Sequence, residues 1–526
     1  MTNYVRKLCA ITAFVLFLTG FALAQSNASA NLNQSQIDIP TTIPVAAQAS
    51  DHFDVDAATE AYLAEMPSSA RSRSDAYFEG GYWLQLWDFL YGVVVALVLL
   101  NFRWSAAMRN LAERIEALTS RWLPLVLYWA FGAVIDLPLI GLTLRLFRAG
   151  SQGLAVVALL AVLIFSFVWL RFAGPIKRFL TGAVGDFSYW VQYLLVTAVL
   201  IGPLAIYEGY IREHQYGLAN QTFGPWLGDQ MKNLAINLVL GGLLVVVLFA
   251  IVRKLPRTWW IWGAVVSILL LTVAIMIGPV YLQPLFNKIT RLDDPKITQP
   301  ILSMARANSI PAKDVYEIDA SKQTTRMSAN VSGFGQTMRI TLNDNLLRRG
   351  SQEEIEAVMG HEMGHYVLNH IPKTIMFFLI VAVCFFAFLH WSLDWSLARW
   401  GEKWQIRGIG DPAVIPLVVL LASLFFFVLT PVTNIWTRSG EAEADMFGLN
   451  ASRQPDGFAR AALHLGEYRK MRPGPIEEFI FYDHPSGYNR IHRAMQWKKE
   501  NQALFKPAEC PAATTTASTA RNSPGQ

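Results

Sequence analysis

The chain has 526 residues, 53% of them hydrophobic and only 16% charged, with a formal net charge of +5. That balance excludes a disordered chain, a coiled coil and an ordinary soluble enzyme. The basic surplus sits in short loops between apolar runs, so membrane topology accounts for it and no nucleic-acid partner is expected.

Residues 1–24 read as a signal peptide: Arg6 and Lys7 precede an apolar Leu8–Phe21, and Ala22-Leu23-Ala24 is a small-residue cleavage pattern. Residues 25–82 follow as a polar extracytoplasmic segment with no domain signal. From 83 to 282 the chain is a multi-span region. Runs near 83–101, 122–144, 153–170, 187–206, 234–252 and 259–281 approach or reach the 20 or so helical residues that cross a bilayer. Two more, near 372–391 and 413–432, form a transmembrane hairpin over 372–432. Asp88 and Asp136 fall within or beside spans, where an acid marks a protein-lined interior, a water-filled cavity or a neighbouring partner helix. With 25–82 outside, the predicted inner loops carry 13 Lys and Arg against 4 in the outer connections. This bias places 283–371 and 433–526 on the extracytoplasmic side.

Residues 283–371 are the first stretch with soluble character. Val315–Ile318 and Met338–Leu342 read as strands. A helix starts at Ser351, whose spacing to Glu354 is that of a capping box. Residues 433–504 carry further lobe helices. The tail, 505–526, is rich in Thr, Ala, Ser and Pro and is expected to be disordered. Cys9, Cys384 and Cys510 form neither a disulfide framework nor a metal site.

The chemistry lies in His361-Glu362-Met363-Gly364-His365. Two His four residues apart project from one helix face and can share one Zn²⁺, with Glu362 placed as general base for the attacking water. A hydrolytic site needs a third protein ligand. Glu441 is the candidate, in an acid-rich segment directly after an apolar span, and Asp445, one turn on, can accept the second ring N–H of a ligating His. Glu443 points away from that face. His370, nine residues after His361, falls on the opposite side of a continuous helix and is a poor ligand, and His464 reads as structural. His484-Pro485 with Arg490 supplies a cationic pair of the kind that stabilises an oxyanion. The transmembrane hairpin between the paired His and Glu441 puts the metal at or near the membrane surface.

Together with Glu208–Asn220, Pro279–Lys288, Ser321–Leu347 and His484–Ile491, these segments resemble the type I CAAX prenyl proteases, over about residues 187–495. The resemblance implies a mainly α membrane protein. Seven to eight transmembrane helices would surround an intramembrane chamber, beside a mostly helical zinc-metalloprotease lobe with a small β-sheet. It implies one Zn²⁺ held by His361, His365 and Glu441, with Glu362 as base and Asp445 behind a ligand. It also implies His484 against the scissile carbonyl and Arg490 near the ligand carboxylate. Where the family carries Asn-Ala-aromatic in a substrate-binding edge strand, this chain has Ser328-Ala329-Asn330. Either Ser328 or Asn330 would make that contact, and a preference for prenylated ends is not implied.

The function expected is a membrane zinc endopeptidase in processing or quality control of membrane or exported proteins. Its partners are membrane-associated peptide or protein substrates and the bilayer, and the leader suggests a bacterial inner membrane. No feature specifies an oligomeric state. The alternatives are a channel or transporter, or a scaffold, with a structural metal site. A structural zinc would call for four protein ligands, which the pattern lacks.

Overall fold

This computed structural model describes residues 36–333 and 338–505. The expected leader, Cys9, Cys510 and the tail beyond Phe505 lie outside them. Among the described residues eight helices are long and apolar enough to cross a membrane, in line with the eight apolar runs.

A short helix α1 (Val55–Ala64) comes first, its N-terminus capped by the Asp54 side chain. The first spanning helix, α2 (Ser68–Asn101), starts well before its apolar run. An amphipathic connector, α3 (Trp104–Thr119), leads to the hairpin α4 (Leu123–Arg148) and α5 (Gln152–Arg171). Then come α6 (Ala173–Ile206), α7 (Phe223–Lys254) and α8 (Trp259–Ile277). Beyond Ile206 the helix continues through a π-helical stretch, Tyr207–Arg212, a local widening common at functional sites. α2, the end of α6, α7 and the segment after α8 line a cavity of about 1130 Å³ with Asp88, Glu208, Arg212 and Asp229 on its walls. Asp88 thus faces this cavity, whereas Asp136 lies 3.3 Å from Ser166 across the α4–α5 hairpin.

The lobe is built from β1 (Ile289–Arg291), α9 (Pro295–Ala307), β2 (Val315–Ile318), β3 (Ala329–Ser332), β4 (Arg339–Asn343), α10 (Asp344–Arg349) and α11 (Gln352–Val367). The sheet runs β1-β2-β4-β3, with β2 and β4 parallel and the outer pairs antiparallel. β2 and β4 are the two runs expected as strands. β3 is an edge strand, in register Ala329↔Leu342 and Asn330↔Thr341. The apolar face of the sheet, including Val315, Ile340 and Leu342, packs on Ile355, Met359 and Met363 of α11. The expected capping box at Ser351 and Glu354 is formed. The hairpin α12 (His370–Trp404) and α13 (Ile415–Ser452) returns the chain to the lobe, which α14 (Pro455–Leu465), α15 (Pro475–Phe481) and α16 (Gly487–Glu500) complete.

The polar segment before the first span is part of this lobe. Ile37, Phe53, Tyr62 and Leu63 are buried in one core with Phe458, Leu463, Ile491 and Trp497. Tyr62 donates to Asp456 at 2.7 Å, and the buried Lys498 ammonium sits 2.6 Å from the same carboxylate. Six candidate spans separate this segment from β1, an even number, so its packing on the lobe is topologically consistent. The segment carries too few apolar residues in any one run to announce a core.

Candidate metal centre

The centre is made where α11 crosses α13. Glycines make the crossing close: a Cβ on Gly360 would meet the Gly448 carbonyl at 2.9 Å, and one on Gly448 would meet the His361 backbone nitrogen at 2.7 Å. The paired His of α11 therefore face Glu441 on α13. His361 Nε2 lies 3.1 Å from His365 Nε2 and 3.3 Å from Glu441 Oε2, and His365 Nε2 lies 3.4 Å from Glu441 Oε1. A tetrahedral ion with bonds of about 2.0–2.1 Å sets its donors roughly 3.3–3.4 Å apart, so the two imidazole nitrogens and the Glu441 carboxylate are spaced to hold one. Among the described residues, these three form the one His/Cys/Asp/Glu group close enough to hold an ion.

The surroundings favour positive charge at that point. Burial opposes charge on His361, but Asp445 and Glu441 outweigh it and push the imidazole up to about 9. A dication between neutral imidazoles answers the same field. His365, by contrast, is pulled down to about 4 by burial and by His361, which keeps it in the neutral form a metal ligand needs. Burial pushes Glu362 up to about 7, the range suited to a base working near neutral pH.

Behind this group, His361 Nδ1 lies 2.9 Å from the fully buried Asp445, as the helix spacing predicts. Asp445 is also held by Arg490 at 3.0 Å and Arg493 at 2.8 Å. Arg490 reaches Glu441 at 2.9 Å as well, so its guanidinium serves the protein's own carboxylates rather than standing free for an oxyanion. His484 Nε2 points to the same place, 3.4 Å from Glu441, while its Nδ1 is held by Asp483 at 2.8 Å.

A cavity of about 350 Å³ opens at the centre. His361, Glu362, His365, Glu441, His484 and Arg490 line it, with Ser328 and Ala329 at the start of β3. Asn330 does not line it. Its Oδ1 is instead buried without a partner. Of the two candidates for the strand contact, only Ser328 is at the site. His464 also borders the cavity and pairs with Glu354 at 3.3 Å, the structural role expected of it.

The structure overturns the expected placement of His370 and adds partners that the sequence reading did not supply for Glu443 and His484. α11 ends at Val367, Asn369 adopts a left-handed conformation (φ 58°), and α12 starts afresh at His370. The break swings His370 back, so that its Nδ1 is 2.9 Å from His365 Nδ1. Glu443 is turned from the metal but reaches His370 Nε2 at 3.2 Å. Asp483, beside His484, carries no signal beyond its place in sequence.

Comparison with known proteins relates both the lobe and the membrane region to known families. The family model for peptidase family M48 matches residues 291–498, and that for the CAAX prenyl protease N-terminal region, described as five membrane helices, matches 141–288. The chain is 28% identical over 317 residues to an uncharacterized metalloprotease, YhfN, of Bacillus subtilis (strain 168), covering 60% of this chain and 74% of that protein. It is 26% identical over 336 residues to CAAX prenyl protease 1 of Saccharomyces cerevisiae, with the same coverage. The crystal structure of S. mikatae Ste24p shares its fold, with a TM-score of 0.52 at 21% identity, over 74% of this chain and 98% of that one. With two family models in tandem and, in the matched lobe, a His-His-Glu group close enough to hold a metal ion, the chain belongs to the M48 metalloproteases of CAAX prenyl protease type, as an integral membrane enzyme of many spans.

Proposed function

We propose that the metal is zinc, bound by His361, His365 and Glu441, and that the chain cleaves membrane-associated or exported proteins. Convergence of two imidazoles and one carboxylate, with protein donors on three sides and a cavity on the fourth, is the observation that carries this reading. Zinc, when bound, supplies Lewis acidity toward the scissile carbonyl and lowers the pKa of a water. Glu362 takes a proton from the attacking water and delivers it to the leaving amine. His484, oriented by Asp483, donates from Nε2 to the developing oxyanion. Arg490 and Asp445 fix the carboxylate and imidazole ligands, so little reorganisation accompanies the reaction. The substrate backbone adds to the outer edge of β3, which has no strand neighbour among the described residues, and Ser328 and Ala329 set its register at the site. Met327, Val358, Phe458 and Leu465 wall the cavity and receive an apolar side chain. The relatives named as CAAX prenyl proteases support a substrate near a chain end, while strand addition through main-chain groups does not require a prenyl group.

The leader at 1–24 and the Lys/Arg bias favour a bacterial inner membrane with the lobe on the extracytoplasmic side. Glu362→Gln is the test of the chemistry: zinc stays bound and cleavage falls by at least about 100-fold, the usual worth of a general base. Undiminished cleavage would remove Glu362 from its role. Comparing membrane proteomes of cells with the intact and Glu362→Gln proteins then identifies substrates, which accumulate in the variant. For topology, a C-terminal tag should be digested in intact spheroplasts, and protection would put the lobe in the cytoplasm.

A further inference from the structure

We propose that His370 and Glu443 are positioning residues for zinc: a relay in which a second imidazole links the ligand His365 to a carboxylate. The inference rests on the zinc reading of the site. His365 turns Nε2 toward the other donors, 3.1 Å from His361 Nε2, so this nitrogen carries the lone pair for the metal. Its proton is then on Nδ1, which lies 2.9 Å from His370 Nδ1 and donates to it. That makes His370 the neutral tautomer with its proton on Nε2, which faces Glu443 Oε2 at 3.2 Å. Each N–H in the series has one acceptor, and Lys373 fixes the far end, 3.3 Å from the same carboxylate oxygen.

The fold holds His370 in place rather than leaving it a surface side chain. Its side chain is only 11% exposed. It rests against the turn of α13 that bears the third ligand, where Gly440 has space for no more than a methyl group at ordinary contact with the ring, 3.7 Å from Nδ1. The two ligands of α11 are thus oriented differently. His361 meets the buried Asp445 of α13 directly, whereas His365 reaches Glu443 of α13 only through another imidazole, because the break at Asn369 sets His370 between them. An N–H acceptor behind a metal-bound His fixes the ring and raises its basicity, and loss of one costs about 10–100-fold in metal affinity.

The test is zinc affinity, measured by chelator competition on the full-length protein in detergent, alongside the thermal midpoint of the metal-free form. His370→Leu should bind zinc at least tenfold more weakly with the metal-free midpoint unchanged. His370→Asn, which keeps an acceptor near the Nδ1 position, should recover most of that loss. Glu443→Gln should weaken binding by a smaller factor, and Glu443→Gln in the His370→Leu background should add nothing, because the two act in series. Equal affinity of His370→Leu and the parent protein overturns the relay, as does an Asn variant no better than Leu. Failure of the underlying zinc reading looks different: the parent protein itself would bind no zinc, and His361→Ala would cleave normally.

Discussion

Gly448→Ala probes how the helix crossing makes the site. The added methyl carbon would sit 2.7 Å from the His361 backbone nitrogen and 3.0 Å from its Cα, where ordinary contact begins near 3.4 Å. The obstacle is backbone, so side-chain rotation gives no relief, and α11 and α13 must part by about 0.7 Å. Metal sites tolerate ligand displacements of about 0.2 Å. Overpacking of this kind costs about 1–3 kcal/mol. If most of that falls on the loaded form, zinc affinity drops about 5- to 150-fold. Intrinsic propensity works the other way, since Ala favours a helix over Gly by about 1 kcal/mol. Zinc competition and thermal denaturation of the purified variant separate the two effects. A variant as stable as the parent or more so, with undiminished zinc affinity, would refute the close crossing as the source of the geometry.

Leu63→Ala should destabilise the lobe by about 2–5 kcal/mol, read as a lower thermal midpoint, because Leu63 is buried in one core with Leu463 and Ile491 some 400 residues on; no change would detach the N-terminal segment from the lobe. The buried His464–Glu354–Glu467 group should give lobe stability a maximum between roughly pH 4.5 and 6.5, the ordinary values of a glutamate and a histidine. Burial opposes charge on His464, but Glu354 and Glu467 outweigh it and raise its pKa, so its contribution is full below 6.5 and lost as pH rises through the raised value. Burial likewise opposes charge on both carboxylates. His464 and the Ser351 backbone still lower Glu354, and His464 and Arg349 lower Glu467, so their contributions are full above 4.5 and lost as pH falls. Denaturation of His464→Gln across pH should lose the alkaline decline, and an unaltered profile would assign it to other groups. Asp483→Asn should lower kcat with zinc affinity intact, since Asp483 orients His484 rather than a ligand; a loss of zinc instead would contradict that placement.

Much of this architecture is legible in the residues because its signals are local. Apolar runs mark the spans, Ser351 and Glu354 mark where α11 begins, and helix spacing alone puts His361 and His365 on one face and Asp445 one turn from Glu441. What escapes notice depends on distant contacts or on one backbone torsion. The burial of Ile37 and Tyr62 rests on partners in α14 and α16, to which a ten-residue helix such as α1 gives no pointer. His370 is misplaced by any reading that continues α11, and the left-handed Asn369 that stops it is a residue equally at home in other turns. The orientation of Asn330 depends on the register of β3 against β4, which period-two alternation leaves open by one residue.

Anomalous diffraction at the zinc edge, on crystals of the full-length protein, bears most directly on the metal centre. One peak per chain is expected, about 2.0–2.1 Å from His361 Nε2, His365 Nε2 and a Glu441 carboxylate oxygen. A peak elsewhere, or a preparation that cleaves at full rate without any metal, would contradict it.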